Sequence, residues 1–194
     1  MSQHLDLGCG SVPRNPYGCD ELYGVDLAGR STDNRIRGAN LALQPIPFDS
    51  DRFASVSAYD FLEHVPRVLA TADGQSTRLP FVELMNEVWR VLRPGGMFYA
   101  STPVYPAKAA FQDPTHVNFM TVDTHQYFCR PEKLAAIYGF AGEFVARRVE
   151  LYSPDPRLSY TPPPESTWRA NWRRRRLLRR GVYSHVLWEL EAVK

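Results

Sequence analysis

Leu5-Asp6-Leu7-Gly8-Cys9-Gly10 is the stretch that decides the fold. Its apolar residues predict a short buried strand, about His4 to Leu7, that breaks into a glycine turn. Sixteen residues after Gly10 a second strand, Leu22-Tyr23-Gly24-Val25, closes on Asp26. In a doubly wound α/β sheet, glycines ending the first strand let a ligand lie against bare backbone. An acid closing the second strand can accept both hydroxyls of a ribose. The layout predicts an adenosine-containing cofactor. Taken singly, a glycine pair after a strand is also an ordinary turn, and Asp26 also suits a helix cap.

At 194 residues the chain suits one domain, 1–194, rather than two. With 44% hydrophobic and 12% aromatic residues it can build a sizeable core, and a net charge of +2 gives no overall push toward nucleic acid. The three cysteines, Cys9, Cys19 and Cys129, lack metal-type spacing and read as reduced thiols of a cytoplasmic protein. Asp6 and the glycines interrupt any apolar run at the amino terminus, and no stretch approaches a membrane span.

Further along, Ser11 to Asp20 holds two prolines and a glycine, which disfavours a crossover helix. A third short strand is expected over Ile36–Ala39, reached by a polar loop, and a fourth over Ala54–Ala58. Asp60 to Val65 opens a helical turn. Apolar residues at helical spacing predict an amphipathic helix from about Leu79 to Leu92, stopped by Arg93-Pro94-Gly95-Gly96. A fifth strand follows over Met97–Ser101. Pro131–Tyr138 reads as a helix with proline in its first turn. Glu143–Tyr152 and Val182–Val193 read as the last two strands, and Pro154–Gly181 between them as an insertion, proline-rich and then arginine-rich.

Four pieces, in order, resemble the class I S-adenosylmethionine-dependent methyltransferases, particularly the methyltransferase type 11 group. They are LDLGCG at 5–10, GVDL at 24–27, PIPFDSDRFASVSAYDFLEHV at 45–65 and ELMNEVWRVLRPGGMFYASTP at 83–103. The resemblance spans roughly residues 3 to 150. It implies a Rossmann-like three-layer α/β sandwich: a mostly parallel seven-stranded sheet, its last strand antiparallel, with reduced helices in the first half. It also implies S-adenosyl-L-methionine as cofactor. That cofactor has no pyrophosphate and needs no helix amino terminus aimed at one, which agrees with the missing third glycine.

By the same resemblance, Asp6 faces the cofactor's amino group while Gly8, Cys9 and Gly10 admit its methionine part. Asp26, followed by Leu27, holds the ribose, and Asn40, followed by Leu41, accepts the adenine amino group. Tyr59, Phe61 and His64 close the site, although the family usually has a small polar residue at the place of Tyr59. His64 is equally readable as a structural residue of its turn. The chain begins only a few residues before the first strand, so the family's amino-terminal lid helix is missing from it. A weak binder, a partner-supplied lid and a truncated product are all compatible with that.

Methyl transfer to oxygen or nitrogen needs alignment and a base. Asp113-Pro114-Thr115-His116 lies just beyond the fifth strand, where ligands bind in such sheets. His116 is the candidate base, with Asp113 orienting it or holding substrate. Similar DPTH stretches in polysaccharide-associated methyltransferases hint at a sugar hydroxyl. His116 also reads as a loop anchor. Asp113, His116, Asp123 and His125 could be metal ligands, but their spacing is no recognised signature. The expected acceptor is an oxygen of a small molecule or saccharide. The run Trp168 to Arg180, in which Trp168 and Trp172 interleave with arginine before the dense Arg173 to Arg180, suits RNA, an anionic membrane surface, a protein contact or plain solvation. The alternatives kept open are therefore an RNA methyltransferase and a non-catalytic cofactor-binding module.

Overall fold

The computed structural model describes residues 1–28, 35–155, 157, 167–180 and 182–194. In chain order the strands are β1 (Gln3–Leu7), β2 (Glu21–Asp26), β3 (Ile36–Gly38) and β4 (Phe53–Tyr59), then a small hairpin, β5 (Leu69–Ala70) and β6 (Thr77–Arg78). Helix α1 (Pro80–Val91) leads into β7 (Leu92–Pro103), followed by β8 (Phe144–Tyr152), helix α2 (Trp168–Arg179) and β9 (His185–Ala192). Seven strands make one sheet in the order β3-β2-β1-β4-β7-β9-β8. The β3-β2, β2-β1, β1-β4 and β4-β7 pairs are parallel, and β9 runs antiparallel to both neighbours. This is the expected sheet.

Successive side chains on a strand point to opposite faces, and the two faces differ sharply. Leu5, Leu7, Val56, Ala58, Phe98, Ala100, Trp188 and Leu190 belong to one apolar cluster. Helix α1 covers it with Phe81, Leu84, Met85, Val88 and Val91, the i, i+3, i+4, i+7 stripe seen in the sequence. Pro80 opens this helix, where its missing N–H costs nothing. The segment between β7 and β8 adds Met120, Phe128 and Phe140 to the same cluster. The opposite face carries His4, Asp6, Ser55, Ser57, Tyr99 and Tyr152. There the loop after β1 supplies cover in place of a helix. The Tyr17 ring meets Tyr99 edge-on at 6.2 Å, and the Arg14 guanidinium lies 4.5 Å over Tyr59.

Three local features differ from expectation. Helix α1 is not stopped by glycines. Leu92 is already extended and pairs with Phe53, and the next matched pair is Met97 with Ser55. Arg93 to Gly96 therefore loops out within β7, because the fully buried Leu92 draws the chain into the sheet before the glycines arrive. Pro131 starts no α-helix. Lys133 is left-handed (φ 39°), and a five-residue 3-10 turn, Leu134–Tyr138, follows and ends at Gly139. The β5-β6 hairpin has no counterpart in the sequence reading. The first, proline-rich part of Pro154–Gly181 falls mostly outside the described residues, and α2 occupies its basic part. Among the described residues, no helix is long and apolar enough to cross a membrane.

Candidate functional site

Parallel pairing brings the carboxyl ends of β1, β2 and β4 to one edge of the sheet. The turn after β1 is held by Val25: its carbonyl accepts from Gly8 N at 2.8 Å and from Cys9 N at 3.3 Å. Gly8 is left-handed (φ 65°), a conformation glycine adopts without steric cost. Gly10 N donates to Asp26 Oδ2 at 2.9 Å, tying the turn directly to the acid at the end of β2. The Cys9 side chain packs against Gly24, where a Cβ would stand 2.4 Å from its sulfur. Burial pushes the Cys9 thiol up to about 12, so it is a packing group and not a nucleophile.

Asp6 is buried beneath this turn. Its Oδ1 accepts from Ser57 Oγ at 2.6 Å and its Oδ2 from Arg14 N at 2.8 Å. Because the Ser57 hydroxyl proton goes to Asp6, Ser57 Oγ must accept from His4 Nε2, 2.8 Å away. His4 Nδ1 then accepts from Ser55 Oγ at 2.7 Å. The result is a one-way chain from Ser55 through a neutral His4 and Ser57 to Asp6.

Burial lowers the His4 pKa from 6.5 to about 4 and raises that of Asp6 from 3.8 to about 6. Stability from His4 is fully present above pH 6.5 and is lost as pH falls toward 4. Stability from Asp6 is present below pH 3.8 and is lost as pH rises through 6. The two slopes oppose one another over the same interval. Asp6→Asn removes one of them, so urea titrations should show the variant losing stability more steeply than the parent between pH 6.5 and 4. Equal slopes would contradict this account of the network.

The other sequence-chosen residues divide between pocket and scaffold. Leu27 is exposed beyond β2, whereas Leu41 is part of the core. Asn40 Oδ1 accepts from Ala42 N at 3.1 Å, so it already caps its own turn. Phe61 lies directly under Gly8, and Tyr59 packs on Tyr99 with centroids 5.1 Å apart. His64 and His116 meet edge to face at 4.8 Å. Asp113 Oδ1 accepts from Thr115 N at 2.8 Å and Thr115 Oγ1 at 2.7 Å, and these bonds hold its carboxyl below the usual range.

Three groups at this edge escaped the sequence reading. Glu63, only 2% exposed, accepts from Thr102 Oγ1 at 2.9 Å through Oε2, while its buried Oε1 has no hydrogen-bond partner among the described residues. Burial pushes its carboxyl up to about 7. His116 Nε2 stands 3.9 Å from that Oε1 and 3.9 Å from Asp113 Oδ2. Asp60 and His185 form the other pair, His185 Nε2 to Asp60 Oδ1 at 2.9 Å, with Ser184 Oγ 2.7 Å from His185 Nδ1. Thus both His185 nitrogens are engaged. Among the described residues His116 hydrogen-bonds only through Nδ1, 3.3 Å from the Ala110 carbonyl. The Glu63-His64 dipeptide beyond β4 was the visible signal. Its partners lie too far along the chain to be paired from one sequence.

Asp123 and His125 do not join this group. His125 bonds the Val122 carbonyl at 2.9 Å, and Asp123 lines a largely apolar cavity of about 560 Å³ with Leu79, Phe81, Phe119 and Tyr127. Helix α2 exposes Trp168, Arg169, Trp172, Arg173 and Arg176, and Arg180 just beyond it is exposed as well.

Strand order, the antiparallel β9 and the glycine turn facing Asp26 together define the class I S-adenosylmethionine-dependent methyltransferase fold. Solved structures agree. A SAM-dependent methyltransferase from Archaeoglobus fulgidus superposes with TM-score 0.54 at 13% identity, over 100% of this chain and 86% of that one. The geranyl diphosphate C-methyltransferase of Streptomyces coelicolor A3(2), solved with Mg2+, geranyl diphosphate and S-adenosyl-L-homocysteine, gives 0.55 at 17%, over 100% and 74%. The [4+2]-cyclase SpnF gives 0.54 at 14%, over 99% and 74%. No protein-family model and no curated protein sequence matches the chain. At these identities the likeness fixes the fold, and function has to be argued from the site.

Proposed function

We propose that the chain is an S-adenosylmethionine-dependent methyltransferase acting on an oxygen of a small molecule or saccharide. The observation that carries this reading is the Gly8–Gly10 turn tied to Asp26 with no helix behind it. Residues 11–20 run as turns and loop, so no helix amino terminus awaits a pyrophosphate, as a dinucleotide site would need. Asp26 keeps Oδ1 for a ribose hydroxyl while Oδ2 holds Gly10. The backbone at Gly8, Cys9 and Gly10 borders the methionine part, and Phe61 forms the wall beneath it. Asp6, Leu27, Asn40, Leu41, Tyr59 and His64 stay in the proposed set around it, with Asp6, Asn40 and Leu41 acting through the backbone they hold.

When bound, the cofactor supplies a methyl group on a sulfonium that is already a good leaving group. The chain's own tasks are to align the acceptor and remove its proton. His116 suits the second task better than His185 because its Nε2 carries a lone pair with no hydrogen-bond donor facing it, while Asp113 stands 3.9 Å away. The apolar cavity has a volume typical of small-molecule sites. The exposed tryptophans and arginines of α2 support contact with an anionic partner, an RNA or a membrane surface. Three unpaired thiols support a reducing, cytoplasmic setting.

Thermal denaturation is expected to shift upward with S-adenosylmethionine or S-adenosylhomocysteine and not with NADH. In His116→Ala the shift should persist, while labelled methyl transfer into hydroxyl acceptors drops by about 10²–10⁴. No shift with either adenosyl ligand sinks the cofactor reading. A shift without transfer in the parent protein favours a non-catalytic binding module, and unchanged transfer in the variant removes His116 as base.

A further inference from the structure

We propose that Glu63, His64 and His116 form a binding site for a divalent transition-metal ion. One carboxylate oxygen of Glu63 and one nitrogen of each ring all lie within 4.8 Å of one another.

The hydrogen bonds around the three residues settle which atoms are available. The Ala110 carbonyl can only accept, so His116 Nδ1 carries a proton, and in the neutral ring Nε2 then carries the lone pair. Thr115 Oγ1 gives its own proton to Asp113 Oδ1, so it must accept from His64 Nδ1, 3.0 Å away. His64 Nε2 therefore also carries a lone pair. Glu63 Oε2 is engaged by Thr102, which leaves Oε1 buried and without a partner, 3.9 Å from His116 Nε2. With Glu63 ionised and His116 neutral, Glu63 Oε1 and the His116 Nε2 lone pair face each other with no donor between them, and one nitrogen of His64 lies within 4.8 Å of the cluster's other ligand atoms. Such groups normally repel, and a cation between them turns that repulsion into attraction.

Each donor also has the outer partner that metal ligands usually have: a backbone carbonyl behind His116, a hydroxyl behind His64 and a hydroxyl on the second oxygen of Glu63. Two imidazoles and one carboxylate suit zinc or ferrous iron better than magnesium or calcium. Ligand atoms held by one zinc ion at about 2.0–2.2 Å stand about 3.4 Å apart, so the site needs roughly 1 Å of closure. His64, at the end of the 3-10 turn Leu62–His64 and held through Thr115, is the residue able to supply it. Asp113, partly exposed, has its Oδ2 3.9 Å from His116 Nε2, at the edge of the three-residue cluster.

This proposal does not depend on methyl transfer, but it bears on the role of His116. An imidazole whose lone pair holds a metal cannot also take a proton, so the loaded protein would acidify a coordinated hydroxyl through the metal's charge instead.

The test is direct metal binding by the full chain. After incubation with Zn2+ and dialysis, elemental analysis should find one ion per chain, and a Co2+-loaded sample should show visible d–d bands. Mg2+ should not compete. His64→Ala, His116→Ala and the nearly isosteric Glu63→Gln should each weaken Zn2+ binding by about tenfold or more. Asp123→Ala and His125→Ala should leave it unchanged. Circular dichroism identifies any variant that fails to fold, and Glu63→Gln keeps the test decisive if a histidine variant does. Absence of bound Zn2+ in the parent chain overturns the proposal. So does binding that survives Glu63→Gln and the folded histidine variants, which would mark adventitious surface coordination.

Discussion

Asp26→Ala is expected to abolish the thermal shift with S-adenosylmethionine. In the proposed site, charge-assisted hydrogen bonds from ribose hydroxyls to a carboxylate are worth about 1.5–3 kcal/mol each. Losing the one made to Oδ1 weakens binding by roughly ten- to a hundredfold. The substitution also frees Gly10 N, which loses its 2.9 Å acceptor, so the turn loosens where the methionine part would lie. Asp26→Asn separates these effects. An amide oxygen can still accept from Gly10 but brings no negative charge, so its affinity should fall between the two. Calorimetric titration measures all three proteins. If Asp26→Ala binds as tightly as the parent, the ribose assignment is wrong.

The second large effect is expected at Gly8. A Cβ there would stand 2.6 Å from Phe61 Cδ2 and 2.9 Å from its Cγ, on a backbone with φ 65°. The left-handed conformation costs a non-glycine residue about 1–2 kcal/mol, and the overlap about 1–3 kcal/mol more. Gly8→Ala should therefore lower the melting temperature by roughly 5–15 °C for a chain of this size. Gly10→Ala is the matched control. It is also left-handed (φ 61°) but has nothing within 4 Å of the added carbon, so only the backbone cost applies. Combining Gly8→Ala with Phe61→Ala should recover part of the loss, because the ring is gone while the φ strain stays. Equal losses at Gly8 and Gly10 would mean that Phe61 does not press on this turn.

The parts of the fold legible in the sequence were those with a strong local pattern. Leu5-Asp6-Leu7 alternates apolar and polar residues at the period of a strand, and Phe81 to Val91 repeats as a helix with one apolar stripe must. The β5-β6 hairpin has strands of two residues without apolar alternation, which is too little for any period to show. Pro131 resembled a helix start, but Gly139 closes the run after Leu134–Tyr138, too soon for an α-helix. In the site, Asp26 and the glycines were legible because each sits at the end of a short strand with a strong local pattern, β1 and β2, with Gly10 and Asp26 only sixteen residues apart. Glu63 was not, because its partners Thr102 and His116 lie dozens of residues away and only the sheet brings them together. His185 was hidden for the same reason, since Asp60 reaches it from β4 across β7.

Strand β9, the latest of the seven in the chain, lies inside the sheet between β7 and β8. During synthesis this makes assembly vectorial in an awkward way. β8 leaves the ribosome before β9 and has no sheet neighbour until β9 arrives to bridge it to β7. Until then Leu151 and Val149 on β8, and Phe98 and Ala100 on β7, lack the strand that seals them. Pairings across such long stretches of chain form slowly, and an unsealed edge invites association with other chains. The sheet is therefore most open to such association in the interval before β9 is made.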